Sequence, residues 1–209
     1  FLSWYDPAQD VLGGHAKAEI CLNMGLLDTL KLPECRGVRD LDAPETTILH
    51  REIILKKPLL KSLYQDFYRK FRNAVPEIEH KTCIELGSGG GFIKDVLPGV
   101  QTSDVLKLPG LDHCFSALEM PFADSSIDAF FMIDVFHHVP DARLFLKNMM
   151  RCLKRGGKIV MVEPANTLWG RFIYANFHHE GFDPKAGWTL PPGGPLSTAN
   201  GALPWIVFD

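Results

Sequence analysis

The sequence predicts an α/β fold: a doubly wound, mostly parallel sheet with helices on both faces, preceded by N-terminal helices. Three observations carry this. From Lys81 onward, short apolar runs alternate with stretches of helical spacing. The first two runs end in acids, Glu85 and Asp104. A glycine-rich turn follows the first run, at the carboxyl end of a strand, where open α/β sheets bind ligands.

The elements follow in order. Ile20, Met24, Leu27 and Leu30 are spaced for a helix over 15–31, which Pro33 ends. Residues 33–45 read as loop. A helix starts near Thr46 or Thr47, and Pro58 opens a second, because proline is accommodated in a first turn but not in a helix interior. Leu60, Leu63, Tyr64, Phe67 and Phe71 line one face of that second helix to about Asn73. Strands are expected at 82–86, 100–104, 114–118, 127–134 and 157–163, and helices at 90–97 and 141–155. Asp141 is the expected N-cap of the later helix and Gly156 its C-cap. Asn166 is placed to cap another helix through Phe177. Residues 178–203 are rich in glycine and proline and read as a loop or lid, and Leu203–Phe208 as a late strand. The division expected is 1–75 as a helical extension and 76–209 as the sheet domain.

Composition excludes several classes. A chain of 209 residues, 46% apolar and 22% charged, is an ordinary globular composition. No apolar run reaches the roughly 20 residues of a membrane-spanning helix. A net charge of −3 gives no reason to expect nucleic acid as a partner. The five cysteines include no C-x-x-C pair, which suits a reducing, cytoplasmic setting and speaks against zinc or iron–sulfur sites.

The informative segment is Thr82-Cys83-Ile84-Glu85-Leu86-Gly87-Ser88-Gly89-Gly90-Gly91-Phe92. A dinucleotide fingerprint G-x-G-x-x-G would need a third glycine where Phe92 stands. What stands there is E-x-G-x-G-x-G. It resembles motif I of the class I S-adenosylmethionine (SAM)-dependent methyltransferases. Four further stretches resemble that family in order: Val100–Val105, Ala117–Phe122, Ser126–Val139 and Leu153–Pro164. The likeness is to the small-molecule branch that includes ubiquinone and menaquinone methyltransferases.

The resemblance implies a Rossmann-like fold and SAM as cofactor, with S-adenosylhomocysteine as product. It implies that Glu85 holds the methionine amino end, that the turn through Gly87, Ser88, Gly89 and Gly91 lets backbone approach the cofactor, and that Asp104 takes the ribose hydroxyls. Val105 is a further cofactor-binding position, and Ala117 and Leu118 sit beside adenine, although Ser116 stands where the family has an acid. Asp134 and His137 pack against the methionine half. The family sheet ends in an antiparallel hairpin, for which only Leu203–Phe208 remains, so the natural chain is expected to run past Asp209.

Chemistry follows from the same reading. The acceptor is a small molecule, methylated on oxygen or carbon. A hydroxyl acceptor profits from a base that titrates near neutrality, and His137 and His178, with His179 beside it, are the candidates. The expected pocket wall is the N-terminal helices, Phe136–His138 and Tyr174–Glu180. No metal is expected, since the adjacent His137 and His138 should point apart and His178-His179-Glu180 is not H-E-x-x-H. Two other classes remain open at this point: a SAM-binding regulatory or partner protein without turnover, and a nucleotide-sugar or NAD-dependent enzyme on the same sheet.

Overall fold

A computed structural model describes residues 32–178 and 180–209. The helix expected over 15–31, and His179, lie outside these residues. Five strands form one parallel sheet in the order β3-β2-β1-β4-β5: β1 Cys83–Glu85, β2 Gln101–Asp104, β3 His113–Cys114, β4 Ile127–Ile133 and β5 Leu153–Val162. The chain winds outward from β1 to β3, then crosses back to β4 on the other side of β1. That reversal opens a crevice at the carboxyl ends of β1 and β4, the place where such sheets take ligands.

Both faces of the sheet are buried, and β4 shows why. Alternate side chains of a strand point to opposite faces. Phe130 and Met132 enter one core with Phe136, Phe145 and Met149, while Ala129 and Phe131 enter the other with Tyr68, Phe71 and Phe92. The first core is closed by α3 (Ala142–Cys152) and α5 (Leu203–Phe208). The second is closed by α1 (Pro44–Lys56) and α2 (Pro58–Ala74). Pro58 opens the second of these helices as expected, while the first begins at Pro44, inside the stretch read as loop, with its own proline in the first turn. Phe71 of α2 stacks on Phe131 at 4.7 Å and 10°, fixing the helix to the sheet. The remaining helix, α4 (Leu168–Asn176), follows β5. No described helix is long and apolar enough to cross a membrane.

Several sequence expectations are corrected. The helix expected at 90–97 is only a 3-10 turn, Ile93–Asp95. Once the glycine turn is made, Pro98 and Gly99 leave no length for a helix before β2. The space such a helix would fill is taken by the N-terminal helices. The Tyr68 hydroxyl accepts the Phe92 N–H at 2.9 Å, and the Arg51 guanidinium donates to the Gly91 carbonyl. Backbone groups that a helix would have satisfied internally are therefore satisfied from 24 and 40 residues away.

Leu203–Phe208 is a helix rather than a strand. Asn200 sets its start, since its side-chain oxygen accepts the Ala202 N–H and its carbonyl accepts the Leu203 N–H. Pro204 suits a first turn, and Phe208 packs 5.2 Å from Phe136. The antiparallel hairpin expected after the fifth strand is not among the described residues. The third strand spans two residues rather than 114–118. Gly156 is not a C-cap. The helix ends at Cys152, and Gly156, at φ +81°, lies where the β5 register jumps from Leu153 to Lys158. Thr167 rather than Asn166 caps α4, accepting the Gly170 N–H at 2.9 Å.

Candidate functional site

The glycine turn is built by cross-strand hydrogen bonds between the ends of β1 and β2. Ser88 N–H donates to the Ser103 carbonyl, and the Ser103 and Ser88 hydroxyls both donate to the Glu85 carbonyl. Gly87 has φ +62°, and a Cβ there would lie 2.4 Å from a Val135 methyl. Only glycine fits a left-handed residue pressed against the loop after β4. Gly89 N–H donates to one Asp104 carboxylate oxygen at 3.0 Å, and Leu106 N–H to the other at 2.9 Å. Burial pushes the Asp104 carboxyl up, against the backbone hydrogen bonds that pull it down.

Beside this turn lies a cavity of about 730 Å³. Of the predicted residues, Gly87, Gly89, Asp104, Val105, Ala117, Leu118, Asp134 and His178 line it. The expected wall is present in outline: Thr47, His50 and Tyr64 come from the N-terminal helices, His138 from the loop after β4, and His178 and Glu180 from beyond α4. The glycine- and proline-rich segment forms the remaining side through Leu190–Leu196 and Thr198. It is tied down at several points. Asp42 accepts from the Leu196 and Ser197 N–H groups at 2.7 and 3.0 Å, and the Thr198 carbonyl meets His138 Nδ1 at 3.0 Å.

Several predicted residues do not reach the wall. Ser88 is buried and spent on the turn. Gly91 faces α2, where a Cβ would come within 2.7 Å of the Tyr68 hydroxyl, so its missing side chain admits a helix rather than a ligand. Glu85 lies behind the turn, 2% exposed. Phe136 is core, not wall.

His137 requires the largest correction. It is buried and lies off the cavity wall. Its Nδ1 meets Glu163 at 2.6 Å and its Nε2 meets Glu180 at 3.3 Å. Burial works against its charged form, yet the two carboxylates push the ring up to about 10. A ring held protonated between two acids cannot serve as a base near neutral pH. Nor do the two histidines diverge: their ring centroids are 4.3 Å apart, and His138 Nε2 also meets Glu180, at 3.4 Å. Burial opposes ionisation of Glu180, but hydrogen bonds from His137 and His138 outweigh it and hold the carboxyl well below its usual range.

Residues 84–161 match a family model described as a methyltransferase domain. The match takes in the glycine turn and the strands on either side of it, and spans less than half of the chain. Among solved structures it is similar to a Methanococcus maripaludis protein assigned as an S-adenosylmethionine-dependent methyltransferase (16% identity, TM-score 0.48, covering 60% of this chain and 65% of that one). It is similar also to a SAM-dependent methyltransferase from Thermotoga maritima (20%, 0.46, 63% and 62%) and to a phosphoethanolamine N-methyltransferase of Haemonchus contortus held with phosphoethanolamine and S-adenosylhomocysteine (18%, 0.44, 59% and 33%). The chain thus spans less than two thirds of the length of each of these proteins.

SAM is the methyl donor expected of such a domain, and the cavity fits it. Thr47, in the cavity wall, carries a buried Oγ1 with no hydrogen-bond partner among the described residues, which a ligand there would satisfy. Asp104, Asp134 and Glu180 line the cavity, an acidic set suited to a cationic molecule.

Burial also pushes the Glu85 carboxyl up, from an ordinary 4.5 to about 8. Between those values the folded protein holds a proton that the unfolded chain has released, so stability falls as pH rises through the interval. Glu85→Gln is therefore expected to match the wild type near pH 4.5 and to exceed it by on the order of 1–3 kcal/mol above pH 8, in urea unfolding without cofactor. A variant less stable than the wild type above pH 8 would show that Glu85 is ionised and paired.

Sequence reasoning missed Glu163. It accepts the Val135 and Phe136 N–H groups at 2.9 and 2.7 Å as well as His137, and so shapes the loop after β4. A signal was present, since Glu163 follows the fifth strand as directly as Glu85 and Asp104 end the first two. Asp42, which anchors the segment at Leu196 and Ser197, had none. Its partners lie 154 and 155 residues away.

Proposed function

We propose that this protein transfers the methyl group of SAM to the oxygen or carbon of a small-molecule acceptor. The observation that carries the reading is the continuity of one cavity, from the glycine turn and Asp104 to a second wall of Tyr64, His138, His178 and Glu180. About 730 Å³ lies within the roughly 300–1,000 Å³ of small-molecule sites, and it offers wall beyond the cradle for a second molecule.

When bound, SAM supplies a methyl group already made electrophilic by the sulfonium. The residues of this chain bind, orient and exclude water. Asp104 accepts from the ribose, and Glu85, behind the turn, shapes the cradle through its carbonyl, which holds the Ser88 and Ser103 hydroxyls. Gly87 and Gly89 let backbone come close. Val105, Ala117 and Leu118 hold adenine, and Asp134 stands beside the methionine half. In this reading residues 1–75 cap a SAM-binding domain at 76–209. The segment Leu190–Thr198 screens the reacting end from water.

With His137 removed, His178 is the remaining candidate base among the described residues. Its ring lies 4.4 Å from that of Tyr174, and its Nδ1 accepts the Glu180 N–H at 3.3 Å, which orients the ring at the cavity. The test is turnover of methyl-labelled SAM against hydroxylated and carbon-acid acceptors, beside calorimetric binding of S-adenosylhomocysteine. His178→Ala is expected to slow transfer about ten- to a hundredfold while leaving SAM affinity near wild type. Binding without turnover on any acceptor would make the protein a SAM-binding partner. Preference for NAD over SAM would overturn the cofactor.

A further inference from the structure

Where β4 and the segment after α4 meet, three ligand atoms converge. His137 Nε2 lies 3.3 Å from one Glu180 carboxylate oxygen, and His138 Nε2 lies 3.4 Å from the other. The three residues together form the one group of metal-ligating type found among the described residues. We propose that His137, His138 and Glu180 bind a divalent first-row transition metal ion, of the zinc or iron(II) type, in the wall of the cavity.

The tautomers give the first argument. The Thr198 carbonyl can only accept, so the proton at this contact is on His138 Nδ1. The Glu163 carboxylate likewise takes the Nδ1 proton of His137. In neutral rings both Nε2 atoms then present lone pairs, and they present them to an anion. Such a cluster needs a cation at its centre. Protons on both rings are one solution; a single metal ion is the other, and it binds all three groups at once.

The surroundings give the second. Metal-bound histidines almost always donate their other ring N–H to a carboxylate or a backbone carbonyl, which fixes the tautomer and strengthens the ligand. His137 has the first kind of partner, Glu163, and His138 the second, Thr198. The spacing gives the third. Zinc–nitrogen bonds of about 2.0–2.1 Å require ligand atoms to gather within a few ångströms; one ligand atom from each of the three residues lies within 4.8 Å of the others, and each Nε2 is 3.3 or 3.4 Å from a different Glu180 oxygen.

The donor set narrows the metal. Two imidazoles and one carboxylate suit zinc, iron(II), cobalt and their neighbours, whereas magnesium and calcium take oxygen ligands. Three protein ligands leave a position open, as in catalytic rather than structural zinc sites. His138 and Glu180 both line the cavity, so that position faces it. The site stands independently of methyl transfer and adds to it a place where an acceptor oxygen can be held.

The test uses the full chain, stripped with a chelator and titrated with zinc in a calorimeter. One ion per chain is expected, with no heat of comparable affinity from magnesium or calcium. Changes to outer partners alone cost about 10–100-fold in metal affinity. His138→Ala and Glu180→Gln should therefore each weaken zinc binding at least about tenfold, with His80→Ala, at an exposed position, unchanged. X-ray absorption at the zinc edge of the wild type should count two imidazole ligands, a reading that does not depend on how any variant folds. A folded wild type that takes up no zinc, cobalt or iron(II) would sink the proposal. So would full affinity in His138→Ala, or an absorption spectrum with fewer than two histidines. Binding of S-adenosylhomocysteine to the zinc-free protein is measured in parallel, so failure of the metal site and failure of the methyltransferase reading register separately.

Discussion

Glu163→Ala is expected to destabilise the protein by about 3–5 kcal/mol in urea unfolding. The carboxylate accepts three hydrogen bonds at the end of β5: from the Val135 N–H, the Phe136 N–H and His137 Nδ1. Its side chain is only 6% exposed and that of His137 only 3%, so water cannot take its place. The alanine variant leaves two backbone donors and an imidazole without their acceptor. It also leaves Asp134, at φ +54° and already an unfavourable left-handed residue, without the neighbouring contacts that hold the loop in place. Because that loop forms one side of the cradle through Val135 against Gly87, cofactor affinity should fall with stability. Glu163→Gln keeps one acceptor and should recover part of both. A variant as stable as the wild type would show that these hydrogen bonds do not hold the loop.

Asp104→Ala should cost about 3–4 kcal/mol of SAM binding, a loss of a hundredfold or more. Two causes add. On the proposed placement, the ribose hydroxyls lose a charged acceptor. The turn loses the carboxylate that holds the Gly89 and Leu106 N–H groups, so the cradle itself loosens. Calorimetry with S-adenosylhomocysteine reads the sum, and Asp104→Asn separates the parts by keeping one acceptor and removing the charge. Unchanged affinity in the alanine variant would take Asp104 out of the site.

These two acids also mark how far the sequence can be read. Glu85, Asp104 and Glu163 share one pattern, an acid closing or following an apolar run. Local pattern suffices to find such residues, because in a parallel sheet every strand's carboxyl end points to the same edge. The roles of Glu85 and Glu163 were not local. Glu85 turns behind the cradle and Glu163 turns under the loop after β4, directions set by packing.

The sequence by itself determined the parallel sheet, the position of its glycine turn, the helix that Pro58 opens, and the apolar run of β4. All of these rest on period-two or period-3.6 spacing and on the backbone freedom of glycine and proline, which are properties of neighbouring residues. Only the tertiary structure decided that no helix follows the cradle. Tyr68 and Arg51 arrive from the N-terminal helices to satisfy the backbone that such a helix would have satisfied itself. Only the tertiary structure made Leu203–Phe208 a helix, because a short apolar run takes whichever form its neighbours bury, and here Phe136 buries it. And only the tertiary structure turned His137 and His138 together. Side chains one residue apart diverge in an isolated strand, but Glu163 behind one ring, Thr198 behind the other and Glu180 between them draw both to one point. Those three partners lie 26 to 60 residues further along the chain, beyond the reach of any local pattern.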